Sequence, residues 1–197
     1  MKKIFIRIVL FFSFFRCSFH LLLFYFHPNK RIIRADIQRW CEILHLNYSP
    51  TLSLLYLLSF FPEFRNLFYH RVGYWKILPN LLCPKLSTLY IATKKIGKGL
   101  FIQHGFSTII AAVSIGENCW INQQVTIGFS NDNDCPTLGN NVSVFCGAKV
   151  IGKLTIGNNS MIGANAVVIK NVPENCTVIG VPGCIVKRDG VKVNEAL

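Results

Sequence analysis

LGNNVSVFCGAKVIGKLTIGNNSMIGANAVV, residues 138–168, places an aliphatic side chain at every sixth position: Leu138, Val144, Val150, Ile156, Ile162 and Val168. An amphipathic helix repeats every three to four residues and a half-buried strand every two, so neither accounts for this interval. It is the interval of a hexapeptide solenoid, a parallel β-helix in which each short strand turns one aliphatic side chain inward. The ladder extends upstream through Ile96, Ile102, Ile115, Ile121 and Ile127. Glycine directly follows the rungs at Ile96, Ile115, Ile127, Leu138, Ile156 and Ile162.

The ladder breaks twice. Ile102 and Ile115 are thirteen residues apart, and Ile127 and Leu138 are eleven apart. With three hexapeptides per triangular turn, the second break extrudes a loop over about 129–137 from one corner. Its sequence, FSNDNDCPT, is polar and rich in turn formers. A loop that leaves a solenoid core is expected to touch a ligand or a neighbour, rather than to be drift at a tolerant corner.

At 197 residues and a formal net charge of +12, the chain suits one domain with an appendage, or two small ones. Residues 1–90 hold twelve Lys/Arg against three Asp/Glu, and residues 91–197 hold nine against six. The basic half is also the more apolar and Phe-rich half, which suits an anionic membrane surface. No helix-turn-helix, zinc-finger or RNA-recognition motif accompanies the charge, so nucleic acid is not an expected partner. The cysteines stand at 17, 41, 83, 119, 135, 146, 176 and 184. None forms a Cys-x-x-Cys pair, so a structural zinc site is not expected, and their scatter suits reduced, buried thiols in a cytoplasmic chain.

Residues 4–26, IFIRIVLFFSFFRCSFHLLLFYF, are long enough to cross a bilayer, but Arg7, Arg16 and His20 interrupt them. No small-x-small cleavage site follows, which argues against a signal peptide. A buried helix and a membrane-surface helix are the two leading readings, with a true span behind them. Lys2 and Lys3 on one side and Lys30, Arg31 and Arg34 on the other leave orientation undecided. After the break at Pro28 and Asn29, helical patterns run over 31–44, 51–61 and 63–71, with Ile33, Ile37, Trp40 and Leu44 on one face of the first. Pro62 separates the second from the third, and Gly73 ends the third. The stretch from Pro79 to Pro84 reads as a linker. The expected organisation is an apolar basic helix at 1–30, a helical region at 31–88, a β-helix at 89–188 and a tail at 189–197.

IGKGLFIQHG at 96–105, SIGENCWINQQVTIG at 114–128, the run from Leu138 to Pro173, and VIGVPGCIVKR at 178–188 resemble the serine O-acetyltransferase family of hexapeptide acyltransferases. The likeness is strongest to its shorter members associated with polysaccharide biosynthesis. IQRW at 37–40 and PEFRNLFYHRVG at 62–73 also look like the N-terminal part of these members. The resemblance implies a left-handed β-helix, a homotrimer, and an acetyl-CoA site in the groove between subunits, with no metal. The closing Gly180-Val181-Pro182-Gly183 is a mark of members that use acetyl-CoA.

His104, in Gln103-His104-Gly105, matches the family's catalytic histidine. A hydroxyl is a weak nucleophile at neutral pH, and an imidazole can take its proton as the oxygen attacks a thioester. His104 is the solenoid's one histidine, which excludes a three-histidine metal site built from the coils alone. By the same match, Cys146, Gly147 and Ala164 are the small corner residues along which pantetheine lies. Lys170, Lys187 and Arg188 are candidates for the nucleotide phosphates, against the plainer reading of solvated cations.

The chain departs from the family pattern in three places. Gln103 replaces an Asp before the histidine. Leu89-Tyr90-Ile91-Ala92 stands where Asp-x-His-Pro is usual. Asn133-Asp134-Cys135-Pro136 stands where Asp-Arg-His-Pro is usual, and that Arg-His pair helps to hold the amino-acid carboxylate. Asp134 in place of the arginine would repel a carboxylate. Asp132 or Asp134 of a neighbouring subunit's loop is the candidate to orient His104, and Asp134 is taken as the second catalytic residue. Cys135 is not taken as a nucleophile, because the family transfers acetyl directly. The expected activity is acetyl-CoA-dependent O-acetylation of L-serine or of a sugar in a surface polysaccharide, in the cytoplasm or at the inner face of its membrane. The alternative is a catalytically silent trimeric scaffold.

Overall fold

Each rung of the ladder is a strand of two to four residues, and the strands stack into three parallel sheets. One sheet runs β1 (Leu89–Ile91), β4 (Thr108–Ile110), β7 (Thr126–Gly128), β10 (Lys149–Ile151) and β13 (Val167–Val168). The second runs β2 (Lys95–Ile96), β5 (Ser114–Ile115), β8 (Thr137–Leu138) and β11 (Thr155–Ile156). The third runs β3 (Phe101–Ile102), β6 (Trp120–Ile121), β9 (Ser143–Val144), β12 (Met161–Ile162) and β14 (Cys176–Ile179). These coordinates are a computed structural model that describes residues 2–132 and 134–197, with the side chains of Lys2 and Lys3 outside the description. They divide into a helical unit ending at Leu86 and a solenoid unit, Ser87–Leu197.

The expected parallel β-solenoid is present, and its core is the ladder itself. Ile121, Ile127, Val144, Val150, Ile156, Ile162 and Val168 are fully buried. Burying each such side chain is worth about 1.5–3 kcal/mol, and the stack repeats that gain in every coil. The glycines that follow rungs serve the close approach of coils. A Cβ on Gly116 would sit 2.5 Å from the carbonyl carbon of Gly139 in the next coil, so no side chain fits there. Asn141, Asn159 and Asn175 form a side-chain ladder up one corner, each amide donating to the next at 2.9 Å.

The first break in the ladder conceals a rung. Ile110 on β4 is fully buried. It lies eight residues after Ile102 and five before Ile115, so the surplus falls at the corner that carries His104. The second break is the predicted loop, which leaves between β7 and β8. Asn133, within it, lies outside the described residues.

The expected tail at 189–197 is instead a strand. β15 (Cys184–Arg188) pairs antiparallel with both β14 and β16 (Val191–Ala196), covering the third sheet's last edge. Asp189 and Gly190 turn the hairpin with φ of 50° and 80°, the conformation that an Asp-Gly turn favours.

The helical unit comprises α1 (Lys2–Arg16), α2 (Ser18–Phe26), α3 (Lys30–Ile43), α4 (Pro50–Phe60), α5 (Pro62–Val72) and α6 (Ile77–Leu82), with a 3-10 turn at Gly73–Lys76. Ile33, Ile37 and Trp40 are buried on α3 as expected, among Leu54, Leu57, Leu58, Phe64, Leu67 and Phe68. Leu44 lies past the helix end and is only half-buried. Asp36 shares the buried face and pairs with Arg71 of α5 at 2.8 Å, with a second contact at 3.2 Å. The linker expected from Pro79 to Pro84 is corrected: α6 occupies most of it, because Pro79 falls in its first turn, where a missing N–H costs nothing. No single helix among the described residues is long and apolar enough to cross a membrane. α1 and α2 bend by 71° at Cys17.

Candidate active site

The register of the third sheet aligns Ile102, Ile121, Val144, Ile162 and Val178 as successive rungs. Two residues past each rung the chain rounds the same corner, which stacks His104, Gln123, Cys146, Ala164 and Gly180 in one column. Backbone bonds tie the column together: Gly147 N–H donates to Gln123 C=O at 3.1 Å, and Asn165 N–H donates to Cys146 C=O at 2.9 Å. Coils rise by about 4.8 Å, so His104 and Ala164, three coils apart, are separated by about 14 Å along the edge. Gly180 opens the Gly-Val-Pro-Gly segment, so that motif and His104 mark the two ends of one column.

His104 is exposed and takes a left-handed φ of 64°. A non-glycine residue in this region costs about 1 kcal/mol, a strain that recurs at functional positions. The surplus residues around it are fixed to the next coil. Phe106 C=O accepts from Gln124 N–H at 3.0 Å and from the buried Thr108 hydroxyl at 3.1 Å. The imidazole is thereby carried on a braced corner and is open to solvent.

The adjacent coil carries buried polar groups that sequence reasoning missed. Asn122 Oδ1, Gln123 Oε1 and Trp120 Nε1 are buried without a hydrogen-bond partner among the described residues. All three belong to β6 or its corner, the coil adjacent to His104. An unmet buried polar atom costs about 1–3 kcal/mol. The signal was legible: Asn122-Gln123-Gln124 is a run of three amides beside an otherwise aliphatic rung.

The acyl-donor candidates are brought together only in part. Cys146, Gly147 and Ala164 lie on the His104 column. Gly147 has a φ of 73° and faces the Asn165 side chain of the next coil, so the position takes no side chain. The three cations do not converge. Lys170 rounds the corner from which the loop leaves and donates to the Leu197 C=O at 2.5 Å. Arg188 is paired with Glu195 of β16. Lys187 is exposed on β15 opposite Thr177, across the third sheet from the column and nearer the asparagine ladder.

Asp134 does not stand as a free carboxylate. One oxygen accepts from the amides of Ser130 at 2.7 Å and Asn131 at 2.9 Å, and the other meets the Ser130 hydroxyl. That hydroxyl and the Asn131 amide hold its carboxyl below the usual carboxylate range. Within one chain, Asp134 organises its own loop and is buried there. Its charge is met by local donors, which weakens the expectation that it repels an acceptor carboxylate.

The chain matches no protein-family model. It is 40% identical over 155 residues to a serine acetyltransferase of Synechococcus elongatus, covering 71% of this chain and 63% of that protein. Over 105 residues it is 47% identical to a serine acetyltransferase of Staphylococcus aureus, covering 51% of this chain and 49% of that one. The chain thus spans between half and two thirds of the length of these relatives. Among solved structures, the serine acetyltransferase of Neisseria gonorrhoeae superposes with a TM-score of 0.69 at 25% identity, covering 88% of this chain and 70% of that one. The Brucella abortus serine acetyltransferase in complex with coenzyme A superposes at 0.67 and 25%, covering 87% and 73%.

Proposed function

We propose that this chain, which belongs to the serine acetyltransferase family of hexapeptide-repeat proteins, moves an acetyl group from acetyl-CoA to the hydroxyl of L-serine. The observation that carries this reading is the shared corner column of His104, Cys146, Ala164 and Gly180. A base at one end and a groove of small residues along the rest are what direct transfer from a long thioester donor requires. His104 takes the hydroxyl proton, and the serine oxygen bonds to the thioester carbonyl carbon. The carbon–sulfur bond breaks, and the proton passes from the imidazolium to the departing CoA sulfur. Backbone amides of the corner are suited to the oxyanion.

We further propose a homotrimer whose neighbouring copy walls the groove, as the family resemblance implies. The acceptor is tested by offering L-serine and a lipid-linked glycan in parallel with labelled acetyl-CoA. Label in O-acetylserine is the expected result. Label in the glycan alone would replace serine by a sugar, and label in neither would leave the scaffold reading.

The helical unit supports a second role for the same protein, attachment to an anionic lipid surface. Phe11, Phe12, Phe15 and Phe26 are 63%, 66%, 64% and 80% exposed on α1 and α2, and Arg7 and Arg16 lie among them. Aromatic side chains interleaved with cations fit the interface of acidic headgroups. Flotation with vesicles rich in phosphatidylserine is expected to carry the protein, and phosphatidylcholine vesicles to leave it behind. Equal recovery with both would refute the electrostatic part of this reading. Loss of flotation from the double variant Phe11→Ser, Phe15→Ser is the accompanying expectation.

A further inference from the structure

At the bend between α1 and α2, Cys17 faces Cys83, which caps the C-terminus of α6. The two sulfurs are 3.6 Å apart. A ring nitrogen of His20, one turn after Cys17, lies with both sulfurs inside a cluster whose members are within 4.8 Å of one another. All three side chains are completely buried. Two thiolates on one tetrahedral zinc, each at about 2.3 Å, stand roughly 3.7 Å apart, close to the separation present here.

The histidine is prepared by its neighbours. Tyr69 Oη is 2.6 Å from Cys83 C=O, 3.1 Å from Pro79 C=O and 2.8 Å from His20 Nε2. The phenol has one proton and gives it to a carbonyl, so it accepts from His20 Nε2–H. That fixes the tautomer and leaves Nδ1 as a bare lone pair, and Nδ1 is buried with no partner among the described residues. A second hydrogen bond that fixes the ring and its tautomer is the usual support of a metal-ligating histidine.

We propose that Cys17, His20 and Cys83 form a site for one thiophilic metal ion, Zn(II) in the first instance, that fastens the α1–α2 bend to the end of α6. Two thiolates and a neutral imidazole cancel the charge of Zn(II), which makes burial of the centre affordable. Binding displaces two thiol protons. The spacing that encodes the site is Cys-x-x-His plus a distant cysteine, which a search for Cys-x-x-Cys passes over. The site lies within the helical unit and its readout is independent of acetyl transfer.

The test uses the full chain, purified with reductant under anaerobic conditions and reconstituted with Zn(II), then with Co(II). We expect about one ion per chain, and thiolate-to-Co(II) charge-transfer absorption in the cobalt form. Cys17→Ser and Cys83→Ser should each lower bound metal at least about tenfold, His20→Ala should weaken it, and Cys184→Ser should leave it unchanged. Wild-type protein that takes up less than about a tenth of an equivalent of either ion would overturn the proposal. So would a Cys17→Ser, Cys83→Ser double variant that binds as much metal as the wild type, or a Cys17–Cys83 disulfide persisting under reductant.

Discussion

Replacing His104 with alanine is expected to lower kcat for acetyl transfer by about 10²–10⁴-fold, the usual contribution of a positioned general base. The KM for acetyl-CoA should stay within a few-fold, because Cys146, Gly147 and Ala164 are untouched. The side chain is exposed, so removing it creates no core cavity. Its φ of 64° disfavours alanine by about 1 kcal/mol, a modest cost against a stacked core. Asparagine tolerates the left-handed region and cannot serve as a base near neutral pH, so His104→Asn separates chemistry from backbone strain. Both variants should lose activity and keep the wild-type melting temperature to within a few degrees. CoA-thiol release at the wild-type rate from either would remove His104 from the mechanism, and a background rate from wild type and variants alike would favour a scaffold.

The solenoid was legible because its signal is redundant. Each buried rung repeats the same requirement, and an interval of six has no competing interpretation. The rung at Ile110 was hidden because two extra residues at the His104 corner shifted the count, and that irregularity is itself the mark of the site. The hairpin of β15 and β16 was also legible in Asp189-Gly190 between alternating residues. The hexapeptide pattern ends before it, which makes the stretch look like a tail in the sequence alone. α6 was obscured by Pro79, which breaks a helix interior but is accommodated in a first turn.

Site residues divided along the same line. His104, Cys146, Gly147 and Ala164 lie at fixed offsets from rungs, so a correct ladder places them on one edge. Lys170, Arg188 and Asp134 are marked in the sequence only by their charge, and charge is satisfied by whatever partner folding supplies. Those partners are the Leu197 carbonyl, Glu195 and the amides of the loop. No spacing rule in the sequence announces such pairings. Asn122 and Gln123 stand out in the sequence as part of a polar run, but the burial of their side-chain oxygens depends on neighbours in the next coil.

The donor groove gives the second large effect. If acetyl-CoA lies along the corner, it covers the half-buried Cys146 thiol, and an indole at position 164 stands in its path. Ala164 is exposed, so Ala164→Trp should leave the fold intact while raising the KM for acetyl-CoA by about 10–100-fold. The direct measurement is the alkylation rate of Cys146, followed by mass spectrometry with and without CoA. Cys41 in the helical unit serves as the internal reference. At a CoA concentration a hundred times its Kd, alkylation of Cys146 is expected to slow about a hundredfold, with Cys41 unchanged and the protection absent in Ala164→Trp. Cys146 reacting equally fast in the presence of saturating CoA would contradict the placement of the acyl donor beside His104.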